Sequence, residues 1–243
     1  MSIQTVTTII TEIDQAPGQL EAAIGTARAL DAHLHVLALA IGFDQTAMMG
    51  AALDPIPMGL GVEESLERAK ALGNLATAQL ADEDIRWHVE PIVGSGASSA
   101  TEIARHTRFS DLVVQHRINS TGDQDRTRRL AETILFEAGV PLLLLPEEAQ
   151  VTAPPSKILV SWDESATALR AARQALPLLT KASYVHVVMV DPPRMRQIVP
   201  IPVGPLRNTC RGRGSNVSFR SVIRVTVAWP PRWNAARLNW GVV

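Results

Sequence analysis

The sequence predicts an α/β fold, a five-stranded parallel sheet with helices on both faces, joined in tandem to an incomplete second copy. Three observations predict it. Apolar β-rich runs alternate with segments of helical period in the order β-α-β-α-β-α-β-α-β through residue 146, an order that a parallel sheet with covering helices satisfies. The stretch from Ser156 to Pro192 repeats TTIITEIDQAPGQLEAAIGTARALDAHLHVLALAI without a gap, at an offset of 149 that sets Asp163 on Asp14, Ile158 on Ile9, Leu169 on Leu20 and Val185 on Val36. An offset of that size marks a duplicated domain and not a solenoid. Finally, 46% of the 243 residues are hydrophobic, enough to build a core.

Each element has its own warrant. Val6 to Ile13 is apolar and β-rich, a buried strand closed by Asp14. Pro17 suits a first helical turn, and Leu20, Ala23, Ile24 and Ala27 then recur on one helical face. Leu34 to Ile41 is a second buried strand. Residues 42–60 have no period and read as a long loop. Leu66, Ala69, Ala76 and Leu80 mark a helix from Val62. Ile85 to Glu90 alternates strictly and runs into Pro91, the signature of an edge strand. Gly94-Ser95-Gly96 turns the chain. Ser99 and Glu102 have capping-box spacing for a helix to His106. Asp111 to Val114 is a buried strand, 117–126 a polar loop, and Leu130, Ala131, Ile134 and Ala138 a helix. Val140-Pro141-Leu142-Leu143-Leu144-Leu145 is the fifth strand.

The domain reading follows: one domain over 1–146, a linker over 147–155, a partial second copy over 156–193, and a basic tail over 194–243. Residues 1–193 carry 14 Lys and Arg and all 24 Asp and Glu, whereas the tail carries nine Arg, three of the five Trp and no acid. The α/β pattern stops where this shift begins. The tail is expected to be out of frame. Its rival is a genuine arm, with Trp among Arg, for nucleic acid or anionic lipid.

Composition excludes several classes. The net charge of −1 gives no bulk attraction to nucleic acid or membrane. Cys210 stands alone, so no disulfide framework forms. The start, MSIQTVTTII, has no basic n-region, and apolar runs are strand-sized, so a cytoplasmic protein without a membrane span is expected. No histidine falls in a metal-binding spacing and no G-x-S-x-G elbow occurs, so no metal and no enzymatic activity is expected. His35 and His186 lie in strand-like runs, where a satisfied core or rim histidine is the expectation. Asp14 and Asp163 end strands where open α/β sheets bind ligands, beyond the strands' carboxyl ends. The favoured reading is that each caps the helix that follows it.

The strand-Asp openings TIITEID and KILVSWD, the five-strand alternation, and DLVVQH…RRLAETILFEAGVPLLLLP together resemble the universal stress protein family, a Rossmann-like α/β group in which tandem domains are common. The resemblance covers about residues 1–193. It implies a stress-response protein acting by binding or association. In members that bind ATP, the aspartate ending the first strand faces the adenosine, which assigns Asp14 and Asp163 as candidate nucleotide-side residues. Those members resemble G-x2-G-x9-G-[ST] after the fourth strand, where glycines let the backbone approach phosphate. This chain has Gln115-His116-Arg117-Ile118-Asn119 there, no glycine before Gly122, and Arg128-Arg129 in place of Gly-Ser. A member of the type that does not bind ATP is therefore expected, with no cofactor. The alternative is a sensor for adenine nucleotide or another small anion, caught by Arg128 and Arg129. In the family the fifth strand pairs with its counterpart in another domain, which implies homodimerisation or domain pairing through residues 140–145.

Overall fold

The computed structural model describes residues 2–42, 58–95, 99–117, 124–147 and 149–188. Most of the long loop at 42–60, Gly96, Gly122, Cys210 and the basic tail lie outside the described residues. The chain divides into two compact units: Met1–Pro155 with Gln174–Lys181, and Ser156–Arg173 with Ala182–Val243.

The first unit holds β1 (Thr5–Ile10), α1 (Ala16–Leu30), β2 (His33–Gly42), α2 (Met58–Leu80), β3 (Trp87–Ser95), α3 (Ser99–Thr107), β4 (Leu112–Arg117), α4 (Gln124–Glu132) with a π-helical continuation (Thr133–Ala138), and β5 (Leu142–Pro146). All five strands are parallel, in the order β3-β2-β1-β4-β5. The expected α/β fold is therefore present. The alternating strand β3 lies at one edge, as its pattern requires.

Alternate residues of the central strands feed two cores. Val6, Ile10, Leu34, Val36 and Val114 pack with Leu20, Ala23 and Ala27 of α1 and Leu72, Ala76 and Leu80 of α2. Ile9, Leu37, Leu39 and Val113 pack on the other face with Ile103 of α3 and Ile134 of the π-helical turn. Side chains alternate across a strand, so helices must cover both faces of such a sheet. Asp111 ties two central strands together at their start: its carboxylate accepts the N–H groups of Gln4 (2.8 Å) and Thr5 (3.0 Å). Gly73 lets α2 approach the edge strand. A Cβ there would lie 3.0 Å from Cγ of Pro91.

Two boundaries differ from expectation. β1 stops at Ile10 and not Ile13, because the chain is already curling: the Ala16 N–H donates to the Glu12 carbonyl at 3.1 Å. The fourth long helix begins at Gln124, not near Leu130, so Arg128 and Arg129 sit inside it and not at its start. QDRTRRLAE has few apolar residues, and a hydrophobic period cannot report a helix that hardly buries a face. The helix expected after the Ser99–Glu102 spacing is present as α3, where the Glu102 carboxylate also pairs with Arg105 (2.8 Å) and His106 (3.5 Å).

In the second unit, β6 (Lys157–Ser161) and β7 (Tyr184–Val188) form a parallel pair, and the helix α5 (Ala166–Gln174) begins there. A short helix α6 (Leu176–Leu179) belongs to the first unit, where Leu178 packs on its core. The repeat is imperfect in register. At the offset of 149, Lys157 corresponds to Thr8 and Tyr184 to His35, yet Lys157 pairs Tyr184 whereas Thr8 pairs Val36. The second pair is slipped by one residue. Burial differs too: β1 buries five consecutive residues, and β6 buries none.

Candidate functional site

Where β1, β2 and β4 end, the first unit opens a cleft of about 760 Å³. Its apolar lining comes from the last halves of strands (Ile9 and Ile10, Leu39 and Ile41) and from Ile103, Leu130 and Phe136 on the helices beyond them. Its polar lining comes from Glu12, Asp14 and Gln15, the first turn of α1, Gln115 and His116 at the end of β4, and one side of α4. Sheets of this kind leave such a crevice because successive helices depart from strand ends in different directions. Thr133, Phe136 and Glu137 reach the cleft from the π-helical turn. That turn ends at Gly139, whose φ of 72° suits glycine.

Glu12 braces the mouth. One carboxylate oxygen pairs with Arg126 of α4 at 2.7 Å, and the other pairs with Arg68 of α2. One side chain thus joins the β1–α1 turn to two helices. A smaller hollow of about 290 Å³ borders the same brace, lined by Thr11, Glu12, Ile41, Arg68 and Arg126.

Beneath the mouth, uncharged amides fix the strand ends. Gln19 Nε2 donates to Thr8 Oγ1 (2.6 Å) and to the Val114 carbonyl (2.9 Å), and its Oε1 accepts the His116 N–H at 2.6 Å. Gln115 Nε2 donates to the Ile9 carbonyl at 3.1 Å. His116 is thereby held at the cleft. Burial pushes its imidazole below the ordinary value of 6.5, opposed by the carboxylates of Glu147 and Glu21. Its Nε2 and Thr127 Oγ1 are buried without a hydrogen-bond partner, and both residues line the cleft.

The two aspartates singled out by the repeat do different things. Asp14 lines the cleft mouth and is exposed. The N-terminal cap position of α1 is Gln15, with no side-chain cap bond, so the capping expected of Asp14 is not realised. Asp163 lies in the second unit. Its Oδ1 accepts the Ser165 N–H at 2.9 Å, and hydrogen bonding from Ser165 holds its carboxyl below the usual range. Ser165, not Asp163, caps α5, accepting the Ala168 N–H at 3.0 Å. Of the two arginines, Arg128 turns outward to Glu132 (2.9 Å), while Arg129 lines the cleft.

Glu12, Gln19, Gln115, His116, Arg126 and Thr127 did not emerge from motif reading. A positional rule would have found most of them: they lie within two residues of a strand's carboxyl end or in a helix's opening turns. Away from the cleft, Glu90 Oε2 bridges His35 (3.1 Å) and His106 (3.2 Å), so His35 is satisfied at the rim of the second core as expected. His186 sits edge-on to Tyr184, with ring centroids 4.2 Å apart. Among the described residues no group of His, Cys, Asp or Glu could hold a metal, and no helix is long and apolar enough to cross a membrane.

Neither a protein-family model nor a curated protein matches the chain. Solved structures do. A universal stress protein from Archaeoglobus fulgidus DSM 4304 is 16% identical with a TM-score of 0.65, over 90% of this chain and 77% of that one. A universal stress protein family member from Burkholderia pseudomallei is 18% identical with a TM-score of 0.44, over 59% and 96%. A universal stress protein from Archaeoglobus fulgidus in complex with dAMP is 15% identical with a TM-score of 0.38, over 58% and 96%. At such identities likeness speaks for architecture alone, and the first of these comparisons together with the five-stranded parallel sheet described above shows it: the chain has the α/β fold of universal stress proteins.

Proposed function

We propose that this chain is a universal stress protein of the type that does not hold ATP, working by binding and association without catalysis. Its binding site is the cleft at the ends of β1, β2 and β4. The carrying observation is the cleft's lining, an apolar floor and a carboxylate-rich rim with His116 near the end of β4, and a sequence with no glycine from there to Gly122 where a phosphate loop needs it. The fold supplies the stress-protein class by analogy.

A second reading, an adenine-nucleotide or small-anion sensor, draws on Arg129 and Asp14, which both line the same cleft. Nucleotide content separates the two. Protein purified without added nucleotide is denatured, and the released adenine nucleotides are counted against protein. We expect none, and no calorimetric signal on adding ATP with magnesium. Near-stoichiometric release would establish the second reading in place of the first. Association is the other half of the proposal: tandem copies within one chain, and pairing of chains through residues 140–145, whose strand β5 is an outer strand of its sheet. The cytoplasm is the compartment we assign.

A further inference from the structure

We propose that residues 149–155, which follow the outer strand β5, form a strap clasped on α1. Docked, the strap fixes one wall of the cleft; lifted, it frees that wall. The device is independent of what the cleft binds.

The clasp is Gly25. It stands in the interior of α1, where glycine costs helix stability relative to alanine. Its surroundings account for it. A Cβ there would lie 2.2 Å from the carbonyl oxygen of Val151 and 3.3 Å from its carbonyl carbon. Those are backbone atoms, which cannot swing aside as the end of a long side chain can. The strap therefore lies where it does only over a residue without a β-carbon. Gly61 of α2 is a helical glycine of the other kind, since a Cβ there would meet nothing within 4 Å. A second fastening lies one turn earlier on α1, where Gln150 Nε2 donates to Glu21 Oε1 at 3.0 Å. Glu21 and Gly25 share a side of the helix, and Gln150 and Val151 are consecutive, so one helix side grips the strap at neighbouring points. The strap is entered through a turn, in which the Ala149 N–H donates to the Pro146 carbonyl at 2.9 Å.

The same helix side leads to the cleft. Gly18, two turns before Gly25, faces the His116 ring, and a Cβ there would lie 3.8 Å from its Cε1. Glu147, between β5 and the strap, lines the cleft beside His116, and His116 pairs in register with Leu145 of β5. The carboxylates of Glu147 and Glu21 both act on the His116 imidazole, against the effect of its burial. Lifting the strap frees Glu147 and so alters the surroundings of His116. Little opposes the lifting. None of residues 149–155 is buried, and Gln150 is exposed, where a hydrogen bond competes with water. A segment that covers so little surface opens by local fluctuation, far short of global unfolding. The chain continues from Pro155 into β6 at Lys157, so an event that draws on β6 loads the strap before it loads the five-stranded sheet.

The test uses the full chain and three variants, Gly25→Ala, Gln150→Ala and Gly61→Ala. A glutamyl endopeptidase cuts after Glu147 when the strap is lifted, and mass spectrometry follows that one cut. We expect Gly25→Ala to be cut at least about tenfold faster than the parent, Gln150→Ala roughly threefold faster, and Gly61→Ala at the parent's rate. In NMR spectra, Gly25→Ala should move the Val151 and Glu147 amide signals and those of the His116 ring, and leave the amides of Leu37 and Val113 in place. Cutting of Gly25→Ala at the parent's rate with an unmoved Val151 amide overturns the strap. Equal acceleration in Gly61→Ala also overturns it, since any added methyl would then loosen the chain. Faster cutting with an unmoved His116 ring overturns the strap's hold on the cleft. Should Gly25→Ala fail to fold, Gln150→Ala decides, and its cutting at the parent's rate overturns the proposal.

Discussion

Gln19 is 6% exposed, yet its side-chain amide is fully engaged, with Thr8, the Val114 carbonyl and the His116 N–H. It joins α1 to β1 and β4 at the point where the cleft begins. Gln19→Ala would strand the His116 N–H and forfeit the other two bonds, a loss of about 2–3 kcal/mol by the usual cost of an unsatisfied buried donor. Urea denaturation of the variant should show it, and an unchanged midpoint would mean the network is ornamental. Nothing in the sequence marks Gln19, because its partners lie far along the chain. Asp14 could be read because it ends a repeated run. Histidines act at this scale too. Burial is the leading cause that lowers His33, His35 and His116 from the ordinary 6.5, with Glu90 opposing at His35. Each folded value lies below its unfolded one, so the unfolded chain takes up protons first. Stability is then complete above about 6.5 and falls as pH drops through that value toward the folded values. The urea midpoint should decline between about pH 7.5 and 5.5, and replacing all three histidines with Gln should flatten that decline. A midpoint that ignores pH over this window in the parent chain would refute the assignment.

At the scale of the element, apolar period revealed what buries a face and missed what does not. β2 and α1 are legible because their buried sides repeat, whereas α4 begins six residues before Leu130 through Gln124-Asp125-Arg126-Thr127-Arg128-Arg129, which no hydrophobic pattern reports. The π-helical turn at Thr133–Ala138 had no sequence sign at all, since Leu130, Ile134 and Ala138 fit an ordinary α-helical spacing. β5 was readable, and its sequence carries a consequence. It is an outer strand of the sheet with Leu144 45% exposed and no charged residue between Leu142 and Pro146. An apolar outer strand without a guarding charge offers its backbone to another strand. We expect sedimentation velocity to show a dimer, and Leu144→Lys to return it to a monomer. A monomeric parent chain at all concentrations would remove residues 140–145 as the pairing surface.

At the scale of the molecule, the repeat predicts one whole copy and one incomplete copy, and the structure gives the two units unequal means of stability. β1 lies between β2 and β4 and buries every residue from Val6 to Ile10. Its counterpart β6 has one partner strand among the described residues, buries none of its own, and leaves Leu159 50% exposed. A pair of strands alone is marginal in water, and three or more with a covered face are the usual minimum for independent stability. Sequence likeness could not show this. Ile158 and Val185 match Ile9 and Val36 in type, but burial depends on what packs above them, and the one-residue slip of β7 changes which side chains share a face. Local opening should follow the same inequality. Backbone amides are released from the least buried cooperative unit first, and only global unfolding releases those of the best-covered strands. In native-state hydrogen exchange, the amides of Ile9, Leu37 and Val113 should be among the slowest. Those of Leu159 and Val187 should exchange at least about a hundredfold faster, and added urea should speed them little, because the opening that frees them exposes little new surface. Equal protection of the two sets, with equal urea dependence, would show that the slipped strand pair unfolds only with the five-stranded sheet.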